Sequence, residues 1–200
     1  MKKKDAENIT FKQFKTSIID DYKIAVTSRQ ASLIGRKEVL TGKAKFGIFG
    51  DGKELAQLAM ARVFRKGDYR SGYYRDQTFM MAKKLLKTES FFAQLYSNTN
   101  LDDEPSSAGR QMNSHFSTRM LDSNGNWRNV SKQYNSSADL SPTASQMPRL
   151  LGLAQASKIY KNYKINSSNF SNEGNEIAFG TIGNASTSEG LFFETVNAAG

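Results

Sequence analysis

The chain has 200 residues, of which 38% are hydrophobic and 13 are Phe, so it can form one globular domain with a core. It contains no cysteine, which excludes disulfides, thiolate metal sites and cysteine nucleophiles and favours a reducing compartment, with the cytosol as the default. The basic start is not followed by an apolar segment, and no apolar run is long enough to cross a bilayer. We therefore expect neither a signal peptide nor a membrane helix.

The net charge of +9 is distributed unevenly along the chain. Residues 1–100 hold 20 Lys+Arg and 10 Asp+Glu, whereas residues 101–200 hold 8 and 9. A basic half of this kind indicates either a nucleic-acid surface or a solvated, partner-facing surface. The basic residues are spread over helix-like segments without clustered aromatic side chains, which favours the second interpretation.

The first hundred residues show three apolar patterns with helical spacing. The first predicts an amphipathic helix within an N-terminal lead-in over residues 1–45, with an inward face formed by Phe11, Phe14, Ile18, Tyr22 and Ala25. The second follows an apolar run and a Gly-rich turn, and its inward face consists of Ala56, Ala59, Met60 and Val63. The third predicts one helix over residues 78–96 with Phe79, Ala82 and Leu86 inward.

Residues 97–145 lose this periodicity and are rich in Ser, Asn, Asp and Gly, which is typical of a functional or disordered segment. We expect this segment to become ordered only when it binds a ligand, because it offers few apolar anchors. Asn124-Gly125 within it predicts a small hairpin.

Regular patterns return after residue 145. Pro148 suits the first turn of a helix whose apolar face is formed by Met147, Leu150, Leu151 and Ala154. The sequence "EIAFGTI" (176–182) is apolar on both alternating faces, which predicts a central strand covered by helices. Together these patterns predict an α/β fold with a parallel sheet flanked by helices, in which ligands bind beyond the carboxyl ends of the strands.

The turn "GNASTSEG" (183–190) lies at such a strand end. Gly183 and Ala185 could approach a diphosphate, while Asn184 and its neighbours Ser186 and Thr187 offer oxygen ligands to a divalent cation. The same residues could instead form an ordinary helix cap before Glu189. The residues alone favour the cap, because short Gly/Ser turns are common.

Three further features have alternative explanations. The turn at 50–52 lacks the endings of a P-loop or a dinucleotide fingerprint, so we interpret it as the strand-to-helix turn that positions Glu54. Arg75 follows two tyrosines and could form an anion-binding corner or a surface pair with Asp76. His115, the only histidine, lies in the irregular segment, where a core role is less expected than a functional or merely exposed one.

Four motifs, "YYRDQ", "AGRQMNSHF", "SPTASQMP" and "GNASTSEG", occur in the order and spacing of a known family. With them the chain resembles the alpha region of the E1 component of thiamine-diphosphate-dependent 2-oxo acid dehydrogenases, closest to the branched-chain type, which also occurs as fused alpha/beta chains. The resemblance covers about residues 46–200. It implies a partial thiamine-diphosphate-binding domain that is incomplete at its C-terminus.

The resemblance also implies roles for individual residues. Tyr74 and Arg75 match the pair that holds the cofactor diphosphate, and Ser141 and Thr143 match positions beside the cofactor. Gly183 and Ala185 match the turn that approaches the diphosphate, and His115 matches the histidine of the "GRQM" loop and is a candidate catalytic residue. In the same turn Asn184 stands where the family has an acid that binds magnesium. A loop for a monovalent cation such as K⁺ is matched by Leu140, Pro142, Ser145 and Gln146.

The implied activity is decarboxylation of a branched-chain 2-oxo acid on thiamine diphosphate and Mg²⁺, with transfer of the acyl group to lipoamide on E2. The implied partners are an E1 beta region and a lipoyl-bearing E2. The second half of the thiamine motif and the beta region would follow Gly200, so we expect an N-terminal fragment that is inactive alone. The competing hypothesis is a non-catalytic remnant that acts as a basic binding or interaction module for an acidic partner or nucleic acid.

Overall fold

The computed structural model describes residues 9–165 and 168–200, so the first eight residues of the predicted lead-in lie outside the described range. Within it the chain forms six α-helices and three short strands. The helices are α1 (Phe11–Leu40), α2 (Glu54–Val63), α3 (Gln77–Ala82), α4 (Thr88–Leu95), α5 (Gln146–Asn162) and α6 (Gly190–Ala199). The strands are β1 (Tyr69–Arg70), β2 (Asn135–Ser136) and β3 (Ala178–Phe179).

The three strands form one parallel sheet in the order β2-β1-β3, in which Tyr69 is paired with Asn135 on one side and with Ala178 on the other. The predicted α/β arrangement with a parallel sheet is confirmed. The predicted central position of "EIAFGTI" is wrong, because its strand β3 lies at an edge of the described sheet and Ile177 is 55% exposed. The polar strand β1 lies at the centre instead.

An aromatic cluster joins the sheet to the helices. Phe79 of α3 packs edge-on against Phe64, with ring centroids 5.2 Å apart, and lies 5.7 Å from Phe179 of β3. Phe91 of α4 and Phe116 are also fully buried in this core. The core therefore lies between β3 and the helices that precede it, and it supports one face of the sheet.

Helix α1 contacts this core only through its second half. A capping box at Thr10 and Gln13 begins the helix, with Thr10 N donating to Gln13 Oε1 at 2.8 Å. The buried residues are the small Ser28, Ala31, Ser32 and Gly35. The predicted inward face is wrong: Phe11 is 80% and Tyr22 69% exposed, and Phe14 and Ile18 are exposed as well. The boundary near residue 45 stays a prediction.

Helix α2 is rotated relative to the predicted face. Its buried residues are Glu54, Gln57, Leu58 and Ala61, whereas the predicted Ala56, Ala59 and Val63 are exposed. The Gln57 side chain explains the rotation, because its amide donates to Arg75 O at 2.6 Å and accepts from Phe79 N at 3.0 Å. The two hydrogen bonds of the buried Gln57 side chain outweigh burial of Ala56 and Ala59.

The predicted third helix is two helices. A break between α3 and α4 contains Lys84 in the left-handed region at φ 58°. The Met80 carbonyl helps close the turn by accepting from Leu85 N at 2.8 Å. Phe79 and Leu86 are buried as predicted, on either side of the break.

Helix α5 begins at Gln146 with Pro148 in its first turn, as predicted. Its apolar face is only half-buried: Leu150 and Leu151 are partly covered, whereas Ala154 is exposed. Within the described residues, no helix is both long and apolar enough to cross a membrane.

The segment 97–145 is irregular apart from β2 and a 3₁₀ turn at Val130–Lys132. The predicted hairpin is confirmed by an antiparallel bridge between Leu121 and Trp127. Large apolar anchors are few in this segment, with Phe116 and Val130 buried, but the polar Glu104, His115 and Asp139 are buried as well. Dependence of its order on a ligand stays a prediction.

Candidate functional site

A fully buried arginine occupies the end of the central strand. Arg70 is 0% exposed and lies between two carboxylates. Its Nη2 and Nε donate to Asp76 Oδ2 at 2.7 and 3.0 Å, and its Nη1 and Nη2 donate to Asp139 Oδ1 and Oδ2 at 2.9 and 3.1 Å. Burial alone would lower the pKa of Arg70, but the charges of Asp139 and Asp76 outweigh it and raise the pKa.

The same carboxylates connect three loops that leave the sheet at its carboxyl edge. Asp76 Oδ2 accepts from Tyr73 N at 3.2 Å in the loop after β1 and from Thr181 Oγ1 at 2.6 Å in the turn after β3. Asp139, in the loop after β2, accepts from Phe116 N through Oδ2 at 3.0 Å. The sequence predicted that turns gather at this edge, but it did not indicate the residues that join them. A lone charged residue in a two-residue strand leaves no recognisable pattern.

Arg75 forms a corner with two tyrosines. Its guanidinium carbon lies 5.5 Å from the ring centroid of Tyr73 and 5.2 Å from that of Tyr74, and its Nη1 donates to Tyr73 Oη. Burial raises the pKa of Tyr73, an effect that the hydrogen bond and charge of Arg75 oppose. The predicted surface pair of Arg75 with Asp76 is wrong, because Asp76 is buried against Arg70. Among residues 9–165 and 168–200 no carboxylate lies within 4.0 Å of the Arg75 guanidinium, so this cation can receive an anion.

The turn after β3 packs on this corner. The Cβ position of Gly183 lies 3.4 Å from Tyr73 Cε2 and 3.3 Å from Ser186 Oγ, so the turn is in contact with the Tyr73 ring. Ala185–Ser188 form a 3₁₀ turn, and Asn184 and Ala185 are exposed. No side chain caps α6 at Glu189, so the interpretation of this turn as an ordinary helix cap is not supported.

Ser141 and His115, predicted separately, meet in the structure. Ser141 Oγ lies 3.0 Å from His115 Nε2, while His115 Nδ1 lies 3.2 Å from Asn113 O. The histidine is 2% exposed, so the expectation of an exposed loop histidine is wrong. His115 is buried because its neighbour Phe116 lies in the core, and Ser141 of the loop after β2 contacts its ring. Thr143, two residues beyond Ser141, is exposed.

The residues of the predicted monovalent-cation loop lie between β2 and α5. Leu140 and Pro142 are exposed, and Ser145 N donates to Pro142 O at 3.2 Å. Gln146 is buried and its Nε2 donates to Thr181 O at 2.9 Å, which joins this loop to the turn after β3. The oxygens offered here are neutral. Within the described parts of the chain, no group of three or more His, Cys, Asp or Glu side chains could hold a metal ion.

The donors at this edge of the sheet suit a diphosphate better than a dication. The Arg75 guanidinium, backed by two aromatic rings and adjacent to a glycine turn, fits a phosphate anion. A magnesium ion here would find the neutral oxygen of Asn184 and no carboxylate cluster, so most of its ligands would have to come from phosphate oxygens and water. Fold and site thus define an α/β protein with a candidate anion-binding site at the carboxyl edge of a parallel sheet.

Comparison with known families agrees with this class. Residues 22–200 match the family described as the dehydrogenase E1 component, so the chain belongs to that family. Its members are thiamine-diphosphate-dependent oxidoreductases of 2-oxo acid dehydrogenase systems, in which E1 components generally act with E1 beta and E2 partners. No curated protein matches the chain.

Proposed function

We propose that this chain forms the alpha-type part of a branched-chain 2-oxo acid dehydrogenase E1, with a thiamine-diphosphate-binding fold. The observation that carries this proposal is the meeting of the Tyr73–Arg75 corner with the Gly183 turn at one edge of the sheet. The cofactor supplies an electron sink for decarboxylation of the 2-oxo acid. The residues of this chain bind and orient it.

Each loop contributes a different function in this proposal. Arg75 and Tyr74 would hold the diphosphate, with the backbone of Gly183 and Ala185 beside it. Asn184 offers a neutral oxygen to Mg²⁺. Four residues around the start of α5 form the K⁺ loop: Leu140, Pro142, Ser145 and Gln146.

The Ser141–His115 pair holds a proton between Oγ and Nε2 at the edge of this site. The Asn113 carbonyl only accepts, so His115 Nδ1 donates to it and Nε2 accepts the hydrogen bond from the Ser141 hydroxyl. We propose that His115 acts as an acid or base for the substrate and that Ser141 orients its ring. Burial of His115 supports this assignment because it limits competition from water.

The proposed partners are an E1 beta region, which supplies the glutamate that activates the cofactor in the family, and a lipoyl-bearing E2. Exposed apolar side chains on α1, such as Phe11 and Tyr22, are consistent with a surface that another region covers. Branched-chain specificity is supported by the "GRQM" and "SPTASQMP" motifs.

Calorimetry with thiamine diphosphate and Mg²⁺ tests the cofactor assignment. We expect Arg75→Gln to weaken binding about tenfold or more, since a lost charge-assisted contact is equivalent to roughly 1.4 kcal/mol or more. Arg119→Gln is the matched control, because it removes the same charge from an exposed side chain elsewhere. Equal losses in both variants, or no loss in Arg75→Gln, would refute the assignment.

A second assay tests the substrate class. The chain is combined with an E1 beta region of the branched-chain type, and decarboxylation of 3-methyl-2-oxobutanoate is compared with that of pyruvate. A higher kcat/KM for the branched substrate is expected. Preference for pyruvate would retain the E1 assignment and reject the branched-chain specificity.

A further inference from the structure

A groove lies at the amino edge of the sheet, away from the Arg75 corner. Lys66 precedes β1 and Lys132 precedes β2, whereas Arg75 follows β1, so the groove and the corner are at opposite ends of the parallel strands. The loops that enter β1 and β2 are joined by a hydrogen bond from Gly67 N to Gln133 O at 2.8 Å. The groove has a volume of about 430 Å³, and none of the residues assigned to the cofactor, to magnesium or to the K⁺ loop lines it.

The groove is lined by five exposed cations, and we call it the basic groove. These cations are Lys66, Lys84, Arg119, Arg128 and Lys132. Within the described part of the chain no Asp or Glu lines the groove, and none of the five cations has a carboxylate within 4.0 Å. The charge balance along the sequence gave no sign of this cluster, because three of the cations come from the slightly acidic second half.

Backbone contacts fix the segments that carry the cations. Lys84 lies in the left-handed turn after α3, and its N donates to Met81 O at 2.9 Å. At the base of the hairpin, Arg128 N donates to Met120 O at 2.9 Å and Arg128 Nε donates to Leu121 O at 3.0 Å. The fold therefore holds like charges around one groove, and a bound anion would relieve their mutual repulsion.

The walls of the basic groove favour a protein segment over a nucleic acid. Leu85 and Pro105 add apolar surface, which can receive an apolar side chain. Tyr134 also lines the groove, but Lys83 Nζ lies 4.3 Å from its ring centroid and the Phe64 ring stacks on it at 5.9 Å. This ring is already engaged, whereas grooves for single-stranded nucleic acid offer rings that are free to stack on bases.

We propose that the basic groove binds an acidic segment of a partner protein. The Asp and Glu carboxylates of the segment pair with the five cations, and an apolar side chain contacts Leu85. Complementary charge steers the encounter and selects acidic partners over basic ones. Because the basic groove and the Arg75 corner lie at opposite ends of the strands, this interaction does not depend on the proposed function and leaves the cofactor site free.

Fluorescence anisotropy of the full chain with a labelled oligoglutamate of about ten residues tests this interaction. We expect saturable binding that weakens at least about tenfold from about 0.05 M to about 0.5 M salt, because salt screens exposed charges. Lys66→Glu combined with Arg119→Glu should weaken it at least about tenfold, since two attractive contacts become repulsive. The matched control is Lys12→Glu combined with Lys15→Glu, which changes the net charge equally on exposed side chains of α1 and should alter the affinity less than about threefold.

The neutral pair Lys66→Gln and Arg119→Gln should give an intermediate loss, and urea midpoints near that of wild type show that each variant is folded. No saturable binding, or equal losses in the groove variant and the α1 control, would overturn the proposal in favour of general charge attraction. Loss of peptide binding in Arg75→Gln would place the peptide at the cofactor corner and also overturn it. Tighter binding of an oligothymidylate of equal charge, abolished by the groove variant, would assign the groove to nucleic acid instead. Calorimetry with thiamine diphosphate tests the proposed function separately.

Discussion

Arg70 Nη1 donates to Asp139 Oδ1 across 2.9 Å, between side chains that are 0% and 1% exposed. The pair joins the end of β1 to the loop that carries Ser141. Because Asp76 binds the other side of the guanidinium, one buried cation fixes the loops on both sides of the candidate site. The geometry of the site therefore depends on a residue that does not line the Arg75 corner.

Replacement of Arg70 by Met should destabilise the chain strongly. It leaves two buried carboxylates without their cation, and breaking a buried ion pair in this way costs about 3–5 kcal/mol. Urea unfolding measures the change. The control is Arg62→Met, which breaks the more exposed pair with Asp21 and should cost at most about 1 kcal/mol.

Equal destabilisation by the two substitutions would contradict this role for Arg70. A double variant of Arg70→Met with Asp139→Asn provides a further check, because removal of one orphaned carboxylate should recover part of the lost stability. Additive losses would indicate that the two residues act independently.

Ser141→Ala should impair turnover more than cofactor binding. Ser141 and Thr143 are both exposed and match the same cofactor region, but only Ser141 contacts the His115 ring, with Oγ 3.0 Å from Nε2. With the beta region supplied, we expect Ser141→Ala to lower kcat about tenfold, less than the roughly 10²–10⁴-fold effect of an acid–base group itself, because Ser141 only orients the ring. Thr143→Val should change it little. A similar fall in both variants would argue against a specific effect through His115.

The sequence predicted the α/β class, the parallel sheet and the position of the Gly183 turn, because hydrophobic patterns and glycine turns are local features. It predicted the wrong central strand. The centre is β1, whose Arg70 is buried only because Asp76 and Asp139 neutralise it, and these carboxylates lie 6 and 69 residues away in the chain. Pairings of this kind depend on the assembled fold.

The predicted helix faces were wrong for the same reason, because they too depend on contacts that form only in the assembled fold. The rotation of α2 is fixed by Gln57, a polar residue that satisfies two backbone groups, and hydrophobic spacing gives no sign of it. The motif resemblance supplied Arg75, Ser141 and His115, but only the structure joins Ser141 to His115.

Stability should depend on Glu54 at low pH. The bidentate hydrogen bonds from Arg29 at 2.6 and 2.7 Å, opposed by burial and aided by backbone N–H groups including that of Gly52, lower the pKa of Glu54 to about 2. The carboxylate therefore adds stability that is fully present above its ordinary pKa of 4.5 and is lost as pH falls through about 2. Arg29→Gln should destabilise at pH 7, and the difference from wild type should shrink over that window.

Urea unfolding at a series of pH values measures this difference. Arg36→Gln is the control, because its bond to Asp51 is a single contact at 2.6 Å and Asp51 is more exposed than Glu54. Its effect should be small at every pH. A difference between Arg29→Gln and wild type that stays constant down to pH 2 would contradict the assignment.

Asn184→Asp should strengthen magnesium-dependent cofactor binding. Asn184 is exposed beside the turn that packs on Tyr73, and a carboxylate there would replace a neutral ligand by a charged one. The gain should be on the order of 1–3 kcal/mol, the range for adding charge to a hydrogen-bonded or ligated oxygen. Calorimetry with and without Mg²⁺ measures it. An equal gain in the absence of Mg²⁺, or no gain in its presence, would show that residue 184 does not act through the metal.

Backbone amides in the segment 97–145 should fall into two classes, one that exchanges hydrogen slowly and one that exchanges it fast. Phe116 N donates to the buried Asp139 Oδ2 at 3.0 Å and Ser137 N to Arg70 O at 2.9 Å, so both amides should exchange slowly without cofactor. Asn124 N donates to the exposed Asp122 Oδ1 at 2.8 Å at the hairpin tip and should exchange fast. Buried polar contacts replace the apolar anchors that this segment lacks. The backbone at Phe116 and Ser137 should therefore be ordered without a ligand. Rapid exchange at Phe116 and Ser137 that slows only when thiamine diphosphate is added would instead support ordering by the cofactor, because the carboxylate contacts alone would then be too weak to offset the backbone entropy of the loop.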